Sequence, residues 1–285
     1  MTLAESLKHY RYQFILLLGG IALLYGTIVP PMVSDWYHDE NYSHGFIVPL
    51  VAGYFVYTRW RLLGKTAIRP AGLGLAIVVL ALMQLVLAWL GTEYFLMRSS
   101  LIVLLAGVIL FLFGKEVFRL LRLPLAYLVF MVPLPYILYD AVAFPLKLFV
   151  TKVSVRALQL MGVAVLREGN IIMFPSTTLE VADACSGIRS LVSLLALAVA
   201  YSCFVTESTA RRWGIIVAAV PIAIVTNALR VIVTGILAQY WGAKAAQGFF
   251  HEFAGLAVFA MAMVMLFAVG ALLKTKNHHN GEGKG

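Results

Sequence analysis

Apolar residues in this chain come in long uninterrupted blocks, at neither the spacing of a half-buried strand nor that of a surface helix. Residues 14–31, 44–60, 73–90, 95–113 and 120–139 each form such a block, bounded by polar residues or by glycine and proline breaks. Three more follow at 186–205, 213–239 and 253–273. About 20 apolar residues in a helix cross the hydrocarbon core of a bilayer, so each block predicts a transmembrane helix. Residues 141–165 break the pattern, because Lys147, Lys152, Arg156 and Gln159 recur there at spacings of three to five. That spacing predicts an amphipathic helix lying in the interface. The fold class expected is therefore an all-α polytopic membrane protein. It has about eight transmembrane helices, an interfacial amphipathic helix and a short extracytoplasmic strand-like loop before the sixth span. Residues 1–285 read as one integral membrane domain, with a flexible cytoplasmic tail at about 275–285.

Charge orients these spans. The loops "TRWRLLGKTAIRP" and "GKEVFRLLR" are basic, whereas "SDWYHDENYS" and "GTEY" are acidic or neutral. Basic loops stay in the cytoplasm, which puts the N-terminus inside. If residues 141–165 also crossed, the basic "TESTARRW" loop would fall outside. Kept in the interface, they leave both termini inside.

Composition agrees: 62% of residues are hydrophobic and 12% charged, far from a soluble domain. The net charge of +9 sits in short clusters between apolar runs, so it encodes topology rather than a nucleic-acid surface. The first apolar run follows Lys8 and Arg11 and lacks a small-residue cleavage site, so it reads as a span rather than a removed leader. Glycine-rich phosphate loops, paired CxxC motifs and zinc-type histidine helices do not occur, and no cofactor is expected. His278 and His279, adjacent in a polar tail, are weak evidence for a metal. Repeats of 20 to 50 residues are not evident, which weakens a transporter built from inverted halves.

The topology gathers three chemically distinct side chains at the outer leaflet. Cys185, in "LEVADACSGIRSL", stands at the outer end of the sixth span; Arg230, in "TNALRV", lies in the outer half of the seventh; His251, in "FFHEFAG", begins the eighth. Each has a plainer reading. An arginine within a span is costly and needs a partner, for which Glu180 and Asp183 are available. An interfacial histidine beside Glu252 is often only solvated. Cys203, in "AYSCFV", reads as a small buried apolar residue, and along one helix it would lie about 27 Å from Cys185, too far for a disulfide. A helix N-terminus or a nearby cation lowers a thiol's pKa, and Arg189, at i+4 from Cys185, either supplies that cation or hydrogen-bonds backbone carbonyls. Cysteine as nucleophile, histidine as acid and base, and arginine on the oxyanion suffice for acyl transfer from a peptide bond.

"EVADACSGIRSL", "TNALRV" and "HEFAG", in this order on successive spans, resemble the exosortase and archaeosortase family of membrane transpeptidases, most closely the bacterial exosortase A type. "NYSHGFIVPL" and "LPLAYLVFMVPLP" look like family segments too, so the resemblance covers essentially the whole hydrophobic chain. It implies a multi-pass enzyme of the bacterial inner membrane with a periplasmic active site. Its partners would be exported proteins carrying a C-terminal sorting signal of a Pro-Glu-Pro motif, a transmembrane segment and a basic cluster. Membrane lipids and an unknown acceptor nucleophile would complete the set, with no nucleic acid. By analogy with sortases, Cys185 would attack the peptide bond, His251 would act as general acid and base, and Arg230 would orient or stabilise the acyl intermediate.

His44, in "NYSHGF", falls on the same outer side and either lines the site or plays an interfacial part. Asn227 lies one turn from Arg230 and is placed to hold its guanidinium. Two rivals remain. One is a transporter or anion channel with Arg230 as its substrate site. The other is a thiol acyltransferase, which shares the cysteine and differs in its product.

Overall fold

The computed structural model describes residues 2–175, 177–181, 187–241 and 249–275, without the side chains of residues 249–253 and 274–275. Within these, the chain divides into two compact units, Met1–Pro135 and Tyr136–Gly285. The expected flexible tail lies outside the described residues, apart from the backbone of residue 275.

In the first unit, α1 (Leu3–His9), α2 (Arg11–Leu24) and α3 (Val29–His38) lead into a 3-10 helix, Glu40–Phe46. After it come α4 (Ile47–Thr58), α5 (Trp60–Lys65), α6 (Leu73–Leu90), α7 (Tyr94–Phe113), α8 (Lys115–Tyr127) and a second 3-10 helix, Leu128–Met131. The α6–α7 hairpin is the hub. A Cβ on Gly74 would run into the backbone of Phe111 and one on Gly107 would lie 2.8 Å from Val78 N, so the two backbones touch, as small residues allow between membrane helices. Tyr25, Ala81, Leu85, Met97 and Leu104 fill the core beside this contact. Near the start of α7, buried Arg98 pairs with Asp35 of α3 at 2.6 Å, giving a costly intramembrane cation its counter-charge.

The proline-rich segment after α8 cannot satisfy its own backbone, because Pro133 and Pro135 lack N–H groups. Side chains from residues 36–44 compensate. Trp36 Nε1 donates to Met131 O at 2.9 Å, His44 Nε2 to Phe130 O at 3.1 Å, and Tyr42 Oη to Leu134 O at 3.2 Å.

In the second unit, α9 (Tyr136–Leu160) is followed by an antiparallel sheet of β1 (Leu166–Glu168), β2 (Ile171–Met173) and β3 (Thr178–Glu180), in that spatial order. Ile172 faces Arg167 on one side and Leu179 on the other. Helices α10 (Ile188–Val205), α11 (Thr209–Trp241) and α12 (Phe249–Thr275) complete the unit. Sheet residues Ile172, Phe174 and Val181 pack into one cluster with Val150, Val155 and Leu158 of α9 and Ala228 and Val231 of α11. Ser154 Oγ adds a hydrogen bond to Ala228 O at 3.2 Å. A second cluster, with Leu194, Ile215, Ala219, Ala223 and Leu266, joins α10, α11 and α12.

The protein is thus a predominantly helical polytopic membrane protein with one small sheet, as expected. Among the described residues five helices are long and apolar enough to span alone, α6, α7, α10, α11 and residues Ala254–Leu273 of α12. The number rises to seven if Arg11–Leu24 is joined to Val29–His38, and Lys115–Met131 to Tyr136–Leu160, as single bent spans. Eight were expected. The difference lies at residues 44–60, where α4 has 12 residues and covers only about 18 Å of a roughly 30 Å core. Residues 141–165 also differ in detail: the helix starts earlier, at Tyr136, and packs one face on α11 and the sheet.

Candidate functional site

The site is organised on α11. Asn227 and Arg230 stand three residues apart, one helical turn, and share a face. Both are buried, with relative exposures of 2% and 8%, although Arg230 carries a permanent charge. Burying an arginine this deeply in an apolar helix is costly unless its surroundings are built for it.

Helix α12 is fitted to that guanidinium. A Cβ on Gly255 would lie 3.2 Å from Arg230 Nη2, 3.4 Å from Cζ and 3.7 Å from Nη1. The guanidinium therefore rests on bare backbone, and a side chain there would press on it by a few tenths of an ångström. His251 belongs to the first turn of α12, four residues before Gly255, and its side chain lies outside the described residues. At i and i+4 the two positions share a helix face.

Helix α10 meets the same face of α11 from its N-terminal end. Its N-cap, Gly187, has φ +82°, the left-handed conformation that disfavours side chains. A Cβ there would also come within 2.7 Å of Asn227 Nδ2 and 2.8 Å of Cγ. The position thus demands glycine twice, for its backbone angle and for the seat it offers Asn227. Cys185, the expected nucleophile, falls two residues earlier and lies outside the described residues, as does Asp183. Arg189 is the second residue of α10 and is half-buried.

The sheet fixes where the cysteine-bearing segment begins. Val181, the last described residue before it, is held from both sides by Asn170 in the β1–β2 turn: Val181 N donates to Asn170 O at 2.9 Å, and Asn170 Nδ2 donates to Val181 O at 3.2 Å. The same amide reaches Glu180 Oε1 at 3.3 Å, which ties this carboxylate to the turn. Sequence reasoning missed Asn170. Its signal was the Gly-Asn pair of "REGNII", a hairpin turn between two short apolar runs.

His44 belongs to the first unit, where it holds the Phe130 carbonyl. Among the described residues no cluster of three or more histidine, cysteine or acidic side chains is arranged to hold a metal ion.

Three sequence motifs, the glycine two residues past Cys185, the Asn-Arg pair and the glycine one turn past His251, thus converge on one side of α11. Chemically, the arrangement offers a buried, fixed cation between two segments that carry a thiol and an imidazole in the sequence. Compared with known proteins, residues 36–268 match the family described as transmembrane exosortase. No curated protein and no solved structure matches the chain.

Proposed function

The chain belongs to the transmembrane exosortase family, membrane enzymes of protein sorting, and we propose that it is a cysteine transpeptidase that removes C-terminal sorting signals from exported proteins. The observation that carries this reading is the seating of the Arg230 guanidinium on Gly255 together with that of Asn227 on Gly187. Those two contacts draw the segments bearing Cys185 and His251 to the same side of one buried cation. The anion channel that the sequence left open gives no reason for glycine at both positions.

In this mechanism the Cys185 thiolate attacks the carbonyl carbon of the scissile peptide bond, and negative charge builds on the carbonyl oxygen. Arg230, placed by Gly255 and Asn227, stabilises that charge. The C–N bond breaks, the leaving amine takes a proton from His251, and the carbonyl remains on sulfur as a thioester. An acceptor amine, or water, then gives its proton to His251 and displaces the thiolate. Arg189 would favour the thiolate form from the first turn of α10. The substrate's apolar segment stands parallel to the bundle, and its basic end lies on the side of the basic loops. In this reading the reaction takes place at the outer face of the inner membrane.

The test is made in membranes. The protein is co-expressed with an exported protein tagged on both sides of its sorting signal, and loss of the C-terminal tag is followed by blotting. Cleavage is expected with the native chain, none with Cys185→Ala, and a residual rate at least about 100-fold lower with Arg230→Ala, the scale of losing one oxyanion partner. Cleavage that survives Cys185→Ala would sink the assignment of the nucleophile.

A further inference from the structure

The first unit holds a groove of about 560 Å³, far from the motifs in sequence, lined among others by Ser6, Tyr10, Gln13, Phe14, Leu17 and Phe113. The wall supplied by α1 and α2 follows spacings of three and four, the mark of a single helical face. Its chemistry is graded: Ser6, Tyr10 and Gln13 at the start are polar, and Phe14 and Leu17 beyond them are apolar. Ile68, Pro70 and Leu112 help to close the opposite side. The Phe14 and Phe113 rings meet at 5.5 Å, yet α2 has no buried residue, so the groove opens along a helix otherwise exposed to its surroundings.

The mouth is basic. Arg69 lies between the lining residues Ile68 and Pro70 and donates its N–H to Phe113 O at 3.3 Å, which pins it to the end of α7. A bridge between Arg69 and Gly114 brings Lys115 to the same place, and Arg11 follows Tyr10. Neither Arg69 nor Lys115 has an ion-pair partner among the described residues, while the neighbouring carboxylates are engaged: Glu116 with Arg119 at 3.1 Å and Glu5 with Thr2 N at 2.9 Å.

We propose that this groove is a binding site for one anionic phospholipid, its phosphate at Arg69 and Lys115 and an acyl chain along Phe14 and Leu17. A groove of this size encloses part of a small molecule, here one acyl chain, and not a transmembrane helix about 30 Å long and 10 Å wide. Charge selects the occupant, since the basic residues bordering the groove repel the basic end of a sorting signal and attract a phosphodiester. Polar side chains at the entrance and apolar ones within reproduce the order of headgroup and tail.

The intact chain is purified in a nonionic detergent, offered dioleoyl phosphatidylglycerol or dioleoyl phosphatidylcholine, and weighed by native mass spectrometry. One phosphatidylglycerol is expected to be retained in preference to phosphatidylcholine. Arg69→Glu should weaken its retention about tenfold, and Leu17→Trp, which fills the groove, should abolish it with the melting temperature kept. If Arg69→Glu fails to fold, Arg69→Gln carries the same test with a loss of a few fold. Equal retention of the two lipids, retention unaltered by both substitutions, or displacement by a synthetic apolar helix with a basic tail would each overturn the proposal.

Discussion

Gly187 and Gly255 serve Asn227 and Arg230, respectively, in different ways, and the difference is measurable. An L-residue held at the left-handed angle of Gly187 costs about 1–2 kcal/mol before any clash is counted. Gly187→Ala should therefore lower stability by at least that amount, the contact with Asn227 adding to it, and reduce cleavage as well. Gly255 lies in regular helix, where Gly→Ala alone adds roughly 0.5–1 kcal/mol of stability. A methyl 3.2 Å from Nη2, however, makes the guanidinium shift. Gly255→Ala should melt no lower than the native chain and still cleave at least about tenfold more slowly, with the loss in kcat rather than KM. A stable, fully active Gly255→Ala variant would show that the contact is idle.

At the scale of elements, the long helices were legible in the sequence because a bilayer forces blocks of about 20 apolar residues. The expected span at 73–90 coincides with α6, and that at 186–205 differs from α10 by two residues at its start. What escaped was set by non-local contacts. Hydropathy reads residues 44–60 as one block, yet the polar "ENYSHGF" winds as a 3-10 helix whose side chains serve a distant proline-rich segment. The interfacial reading of residues 141–165 gave weight to four polar side chains; Val150, Val155 and Leu158, buried in the tertiary core, also govern where that helix lies. The site shows the same division. Cys185, Arg230, His251 and Asn227 could be named from residue chemistry, but Asn170 acquires meaning only once its amide is seen on Val181 and Glu180. Asn170→Asp should place a second carboxylate against Glu180 and loosen the β1–β2–β3 corner. Faster limited proteolysis between residues 176 and 187 and slower cleavage are the expected readouts, and Asn170→Ala should show a milder form of both.

At the scale of the whole molecule, the alternation of basic and acidic loops requires the polypeptide to cross between "SDWYHDENYS" and "TRWRLLGKTAIRP". Helix α4 covers about 18 Å of that distance, so the expected crossing at residues 44–60 rests on the loop charges rather than on a helix of spanning length. Tags at the two ends should therefore report the same compartment, as an even number of crossings demands. Accessibility labelling that puts the ends on opposite sides would remove this crossing and with it the outer position proposed for Cys185.

Val181 is fastened to the sheet by Asn170, and Gly187 lies packed against Asn227 of α11. The cysteine therefore sits in a stretch whose two moorings are independent of its own composition. Under such a constraint the quantity under selection is a count. Substitutions between the moorings can change reactivity and leave the register intact, whereas one inserted residue on either side of position 185 would move the thiol by up to about 3.5 Å along the chain. For the nucleophile proposed, a step of that size exceeds the tolerance of a reacting pair. A library varying length and one varying identity across this stretch would then behave in opposite ways, the first unforgiving everywhere and the second only at the thiol and the glycine.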